Sequence, residues 1–397
     1  MEKIMILGAG IYQVPLIKKA KEMGYTTIVV SIKGNYPGFP LADKVYYVDT
    51  RDKDQCLQIA KHEKINAVCT TGTDVAMPTL GFIVDNLHLS GPSYKSCCMA
   101  SNKWLMKQSF QQYDVKSADF VKVQSLEECL CAAQKIGYPC VLKIVDSSGS
   151  RGISVVKDNE QLVETFQKIH NYTNEDYILV EEFLDGVDFG AQAIVYQGEV
   201  LKVIPHTTEV YCGDTNIPIG HTVPYMEPVD STLEDVVKNE VINAIKSLQI
   251  DNAVVNADLM MVDGIPYVIE MGARCGATGI PEIDSLCCGF DMYQTIIGLA
   301  LGKVDDIRLR NSSITGAATS LLILSHKQGR LIGYNTVSHS KLHEFKIDYQ
   351  IGDQVDAFKT GPNRIGHLIV SETNLQDSIK LAKKLVDEVG LSIQTTA

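Results

Sequence analysis

The strongest constraint on this chain is the exchange of two periodicities across its first ninety residues. Short apolar runs at 4–7, 27–31, 45–48 and 67–70 have the length of strands. Between them, apolar residues recur at helical spacing, as at Val14, Ile17 and Ala20 through Met23, closed by Gly24. Strands that alternate with helices predict a parallel sheet, because neighbouring parallel strands need a crossover long enough to hold a helix, and that crossover is right-handed. Gly91-Pro92 marks the exit from this first, Rossmann-like part.

The pattern then changes. A helix is expected from Ser101 or Asn102, a strand over 120–123, and a helix over 125–136 stopped by Gly137-Tyr138-Pro139. Strands over 140–145 and 152–156 flank the polar turn Asp146-Ser147-Ser148-Gly149-Ser150-Arg151, and a further helix and strand end at 178–181. Paired strands are expected over 191–196 and 199–204. The polar stretch from His206 to Pro224 reads as a loop. A long helix over 231–248 precedes a hairpin, 253–261 and 266–271, turning at Asp263-Gly264. The last ninety residues read as a small mixed domain with strands over 316–324 and 367–372 and a closing helix over 375–388.

Composition narrows the function classes. Lys plus Arg number 36 and Asp plus Glu 48, a formal net charge of −12. Such a surface repels phosphate backbones and anionic headgroups, so neither nucleic acid nor membrane is an expected partner. Any anion it binds must be held by a local cluster of cations. No run approaches the ~18 apolar residues of a membrane span, and the N-terminal apolar run is too short for a signal-peptide core. The 11 cysteines include the adjacent pairs Cys97-Cys98 and Cys287-Cys288, which suit neither disulfides with each other nor a zinc site. Reduced thiols and a cytoplasmic location are the expectation.

Three segments carry chemistry. Gly8-Ala9-Gly10 follows a strand and opens a helix, but Gln13 stands where a dinucleotide fingerprint needs its third glycine, and no acid ends the second strand. A plain strand-to-helix turn and a dinucleotide site are both open readings there. Lys143 ends an apolar strand, and Ser147, Ser148, Gly149, Ser150 and Gly152 follow; such a segment is either an exposed hairpin or a loop whose N–H groups cover a polyphosphate. Asp258 and Glu270 sit on the two arms of the hairpin, facing each other about its turn, with Arg274 four residues beyond. Carboxylates flanked by apolar strands are costly unless a cation neutralises them, which favours a Mg²⁺ site beside a phosphate-binding arginine over two solvated side chains.

Together these residues resemble the ATP-grasp superfamily, in particular its carboxylate–amine ligases and L-amino-acid ligases, with related patterns in biotin carboxylase and carbamoyl-phosphate synthetase. The resemblance runs in order along nearly the whole chain. It implies an α/β and α+β architecture: a Rossmann-like pre-ATP-grasp domain over 1–95, an ATP-grasp fold of two subdomains over 96–310 with a flap subdomain at about 115–185, and a C-terminal lid-like domain over 311–397. By the same resemblance, Lys103 and Lys143 are the nucleotide lysines. Ser150 and Gly152 belong to the mobile flap, Glu181 and Leu184 to the adenine linker, and Asp188 takes the ribose position, usually a glutamate. Asp258 and Glu270 are the metal ligands, and Arg274 steadies the transferring phosphate. The family commonly has Glu-x-Asn-x-Arg; here Glu270-Met271-Gly272-Ala273-Arg274 lacks that Asn, so a water would fill its position.

Substrate contacts are sought in the loop after Arg274, at Gly276 and Gly279, and at His221, Glu209 and Arg364, each of which also has a purely structural reading. The implied activity is an ATP- and Mg²⁺-dependent ligase, with Mn²⁺ a substitute metal. It activates a small-molecule carboxylate as an acyl phosphate and joins it to an amine, releasing ADP and phosphate. A bicarbonate-using carboxylase and a nucleotide-binding regulator without turnover are the alternatives. A homodimer is a family-level expectation.

Overall fold

Four strands open the chain: β1 (Lys3–Leu7), β2 (Thr26–Ser31), β3 (Lys44–Tyr47) and β4 (Ala67–Cys69). They pair in parallel in the order β3-β2-β1-β4. The alternation of strand and helix therefore folds as expected. The computed structural model describes residues 2–146, 152–169, 172–173, 175–212, 216–225 and 231–395, so Ser147 through Arg151, including the expected flap residue Ser150, lie outside the described residues.

The glycine turn after β1 is filled by the chain itself. The Gln13 carboxamide accepts from Gly10 N at 2.9 Å and donates to Thr71 O, and a Cβ on Gly8 (φ +99°) would meet its Oε1 at 2.9 Å. The helix then starts at Val14. The third-glycine position thus holds a side chain that closes the turn, in accord with a plain structural turn.

A second four-stranded sheet comprises β5 (Phe120–Val123), β6 (Cys140–Lys143), β7 (Ile153–Val156) and β8 (Ile178–Glu182), all antiparallel, in the order β5-β8-β6-β7. Helices Leu126–Ile136 and Asn159–Ile169 cover one face, burying Cys129, Ala133, Leu142, Val156, Leu162 and Val180 together. Next in the chain come β9 (Val187–Tyr196), β10 (Glu199–Cys212), β11 (Asn216–Val223), β12 (Ala253–Val262) and β13 (Ile265–Gly272). The turn between β12 and β13 places Asp263 and Gly264 at φ +48° and +78°. Both are left-handed, as a two-residue hairpin turn whose twist matches its strands requires.

The chain divides into two compact units. The first holds residues 1–203, 231–276 and 293–310. It contains the two sheets above and the strand order β13-β12-β9-β10. The second holds 204–230, 277–292 and 311–397. In it the later part of β10 pairs with β11, followed by β14 (Ala317–Ile323), and further strands β15 (Gly329–Gly333), β16 (Leu342–Ile347), β17 (Gln354–Val355), β18 (Gly366–Glu372) and β19 (Ser392–Gln394) complete the chain. Their order is β10-β11-β14-β18-β16, with β17-β15-β19 as a small separate sheet. Helix Leu375–Val389 packs Leu381, Ala382 and Leu385 on Leu321, Leu368 and Val370.

One expectation is corrected here. The polar stretch 206–224 is not a loop over its described residues; β10 runs on to Cys212 and β11 covers Asn216–Val223. Thr222 is satisfied across strands, its Oγ1 meeting Thr319 Oγ1 at 3.0 Å, and Thr319 in turn meets Ser378 of the closing helix at 2.8 Å. Thr, Val and Tyr suit a pleated ladder, and buried hydrogen bonding of this kind is invisible to a hydrophobicity pattern.

Candidate functional site

The first unit gathers its buried charges around β6, β8, β12 and β13. Asn102 caps the helix Lys103–Gln112 by accepting from Leu105 N, which sets Lys103 and Lys107 one turn apart on its buried face. Lys103 Nζ reaches Glu270 Oε1 at 3.0 Å. Burial alone would lower the Lys103 pKa, but the charges of Glu270, Asp74 and Glu181 outweigh it and hold the ammonium above its ordinary value.

Lys143, at the end of β6, lies 2.8 Å from Glu181 Oε2, and Lys107 lies 3.3 Å from the same oxygen. All three side chains are buried. Burial raises the Glu181 pKa, yet the two lysines win and the carboxylate sits below its usual range. The Lys107 pKa is lowered as well, first by burial and further by the charge of Lys143, with Glu181 acting against them. Two ammonium groups against one carboxylate leave the cluster formally cationic. Glu181 Oε1 has no hydrogen-bond partner among the described residues. Gly152, at the base of the turn after β6, has φ +68°, and a Cβ there would meet the Ile144 side chain at 2.3 Å; its carbonyl accepts from Ile144 N.

Asp258 on β12 and Glu270 on β13 are cross-strand partners, as expected, but through a β-bulge: the ladder runs from Val262 opposite Ile265 to Leu259 opposite Val268, and the shift between Leu259 and Asp258 then sets Asp258 against Glu270. The Asp258 side chain is accessible to solvent, yet the protein atoms crowded around it keep enough water away that desolvation first, and then the charge of Glu270, lifts its pKa to about 6, with Arg274 and an Asn256 hydrogen bond acting against them. Arg274 Nη2 donates to Asp74 Oδ2 at 2.7 Å, while its buried Nε finds no acceptor among the described residues. Asp74 Oδ1 also stands 2.9 Å from where a Cβ on Gly272 would lie. The space opened by glycine at 272 is therefore taken by a carboxylate from the segment after β4. Among the described residues, no three His, Cys, Asp or Glu side chains are gathered closely enough to hold a metal by themselves.

The structure thus brings Lys103, Glu270, Asp258 and Arg274 to one hairpin and its neighbours, and Lys143 to Glu181. Leu184 is buried just past β8, and Asp188 lies on β9 opposite Met260. Gly276 N–H donates to Gln192 Oε1 at 2.9 Å. Gly279, His221, Glu209 and Arg364 belong to the second unit. There Gly279 N-caps helix Ile280–Cys288, and His221 is buried edge-on to His206 with ring centroids 5.1 Å apart. Glu209 pairs with Lys383 at 2.9 Å, and Arg364 with Asp348 at 3.0 Å. Sequence reading missed Lys107, Asp74, Gln192 and Asn256. Only Lys107 left a signal, its four-residue spacing from Lys103.

The chain is similar to several known proteins along its length. A family model described as "Phosphoribosylglycinamide synthetase, ATP-grasp (A) domain" matches residues 101–280. The crystal structure of phosphoribosylglycinamide synthetase from Anaerococcus prevotii is 30% identical, covers 99% of this chain and 100% of its own, and superposes with a TM-score of 0.84. The L-amino acid ligase from Bacillus licheniformis is 19% identical with a TM-score of 0.86, covering 100% and 99% of the two chains. A formate-dependent phosphoribosylglycinamide formyltransferase of Methanocella arvoryzae is 23% identical over 98% of this chain and 92% of the relative. No helix among the described residues is long and apolar enough to cross a membrane.

Proposed function

The chain belongs to the ATP-grasp superfamily and is an ATP-dependent, ADP-forming ligase that makes C–N bonds between a carboxylate and an amine; on that premise we propose how its residues divide the work. One observation carries the assignment: in a chain of net charge −12, Lys103, Lys143 and Arg274 are each drawn into a largely buried carboxylate pair beside the hairpin. Cations held this way, with an unused Arg274 Nε–H, are ready to receive a polyphosphate.

In this reading Lys103, Lys143 and Arg274 hold the phosphates of ATP, with Ser150 and Gly152 in the covering flap. Glu181 and Leu184 meet the adenine, and Asp188 the ribose. Asp258 and Glu270 fit a hard divalent cation. They offer oxygen donors, and Asp258, though accessible, is held near pKa 6 by desolvation and by a facing carboxylate, a cost that a cation would relieve. Mg²⁺, or Mn²⁺ in its place, supplies charge neutralisation at the transferring phosphate when bound. The substrate carboxylate oxygen attacks the γ-phosphorus and ADP leaves. The amine nitrogen then attacks the acyl carbon, loses its proton, and phosphate departs. Arg274 and the lysines stabilise charge on the phosphoryl oxygens, and exclusion of water protects the acyl phosphate. Gly276, with Gly279, His221, Glu209 and Arg364 of the second unit, are the candidate substrate contacts. The parts 1–95, 96–310 and 311–397 are carried as functional divisions, together with a homodimer, checked by light scattering, and a cytoplasmic location, checked by fractionation.

The test supplies ATP and Mg²⁺ with a panel of amino acids and other small carboxylates. ADP, phosphate and a hydroxamate trapped by hydroxylamine are expected; AMP and pyrophosphate would overturn the acyl-phosphate route. Lys143→Ala should lower turnover about 100-fold or more while the protein stays folded. Full activity in that variant would sink the site assignment.

A further inference from the structure

Gln192 on β9 and Asn256 on β12 form a row of amides that the site above does not use. They are cross-strand partners, and Asn256 also stands opposite Gly272 on β13. Both are buried, Gln192 completely, in strands otherwise built largely of Ala, Val, Ile and Leu. Their hydrogen bonds run in one direction. Gly276 N–H and the Cys275 thiol donate to Gln192 Oε1 at 2.9 and 3.3 Å. Gln192 Nε2 donates to Asn256 Oδ1 at 2.5 Å, and Asn256 Nδ2 donates to Asp258 Oδ1 at 3.0 Å.

Each amide has one oxygen end and one NH₂ end, so the direction is set at the Gly276 end. Two donors there hold the Gln192 oxygen toward the loop. Its NH₂ must then face Asn256, which turns the Asn256 oxygen back and its NH₂ forward. A donor is thereby delivered to the one side chain in the row that only accepts. The reverse orientation would press a carbonyl oxygen against a carboxylate.

We propose that Gln192 and Asn256 are positioning residues that lock the Asp258 carboxylate to the backbone N–H of Gly276, so that the loop after Arg274 and the metal-binding carboxylate are set as one unit. This rests on the reading of Asp258 as a divalent-cation ligand. Groups that orient a metal ligand in this way commonly change metal affinity 10–100-fold when lost. The chain predicts a split between variants. Gln192→Glu keeps the acceptor for Gly276 but loses the donor; the Asn256 amide turns to serve the introduced carboxylate and presents its oxygen to Asp258. Gln192→Met removes both functions.

The test measures Mn²⁺ binding to the full-length chain by electron paramagnetic resonance, alongside hydrogen exchange of the peptide containing Gly276. Gln192→Glu and Asn256→Leu should weaken Mn²⁺ about tenfold or more while Gly276 stays protected. Gln192→Met should weaken Mn²⁺ and also expose Gly276 to exchange. Asp258→Asn is the reference. If it binds Mn²⁺ as well as the native chain, the ligand reading itself fails. If Asp258→Asn loses Mn²⁺ but Gln192→Glu does not, the positioning role is overturned. Gln192→Glu is nearly isosteric and carries the test alone should Asn256→Leu fail to fold.

Discussion

Gly279 shows how tightly single positions are specified. Its φ is +81°, and a Cβ there would lie 2.1 Å from Ser320 Oγ, whose hydroxyl donates to Thr278 O at 2.8 Å. Both the backbone and the space exclude a side chain. Gly279→Ala is expected to cost about 2–4 kcal/mol in denaturant unfolding, and Ser320→Gly in the same chain should recover the steric share but not the strain. A cost below 1 kcal/mol would mean that the turn relaxes freely. Gly272 is constrained differently. Its backbone is ordinary, but Asp74 occupies the side-chain space, so the asparagine common in the family cannot be restored without moving the partner of Arg274.

At the scale of elements, the parallel sheet is tied to its second crossover helix, Lys53–Glu63, by one residue. Glu63, on the last turn, accepts from Lys44 and Tyr46 of β3 and from Lys3 of β1. Lys44 first and Tyr46 next pull its pKa to about 2, against the effect of burial. A depressed carboxylate stabilises the fold above its unfolded value and loses that contribution as pH falls through the folded one. The window is therefore about pH 4.5 down to 2. Lys3 and Lys44 are partly exposed, so solvent screening holds the contribution to about 2 kcal/mol. Glu63→Gln should lower stability by about that amount at pH 7 and by much less at pH 2.5. An equal loss at both pH values would show that packing, not charge, ties the helix down.

At the scale of the molecule, the two units should respond to acid differently. In the second, burial lowers His221 to about 4 and pushes His206 well below its usual value, with the nearby His221 adding to the effect. A base with a depressed folded pKa loses stability as pH falls from its unfolded value through the folded one, here from about 6.5 to 4. Asp284 opposes this. It is fully buried with neither oxygen partnered among the described residues, and burial raises its pKa, so its contribution is present at low pH and lost as pH rises. Asp284→Asn should therefore raise stability above neutrality and leave the histidines to act alone on acidification. In that variant, hydrogen exchange of β10 and β11 should quicken between pH 6.5 and 4, with about 3 kcal/mol lost through His221. The sheet β1–β4 should hold until its own carboxylate window. Simultaneous loss of protection in both units above pH 4.5 would contradict this order.

The alternation of the first ninety residues was enough to specify a parallel sheet, because strand and helix periodicities are local and the crossover rule leaves few arrangements. That Asp258 and Glu270 lie on the two arms of one hairpin was legible for the same reason, but the two-residue turn alone would set Asp258 against Ile269; the register shift between Asp258 and Leu259, which only the structure shows, brings Glu270 opposite it. Lys103, Lys143 and Arg274 stood out as the cations a strongly acidic chain would need, and family resemblance supplied their roles. What lay beyond local reading were the partners. Asp74 reaches Arg274 across 200 residues of sequence, and Gln192 meets Asn256 across 64. Glu181 was read only as part of the adenine linker, whereas its side chain proves to be the shared counterion of two lysines. The strands after His206 were misread because their polar side chains are paid for by hydrogen bonds to distant strands. Sequence by itself pointed to Lys103, Lys143, Asp258, Glu270 and Arg274 and to the elements that carry them, but not to Lys107, Asp74 or Glu63. Only the tertiary structure decided what neutralises each of them, because a buried charge is stable only with a partner, and partners are chosen by distance in space rather than by separation along the chain.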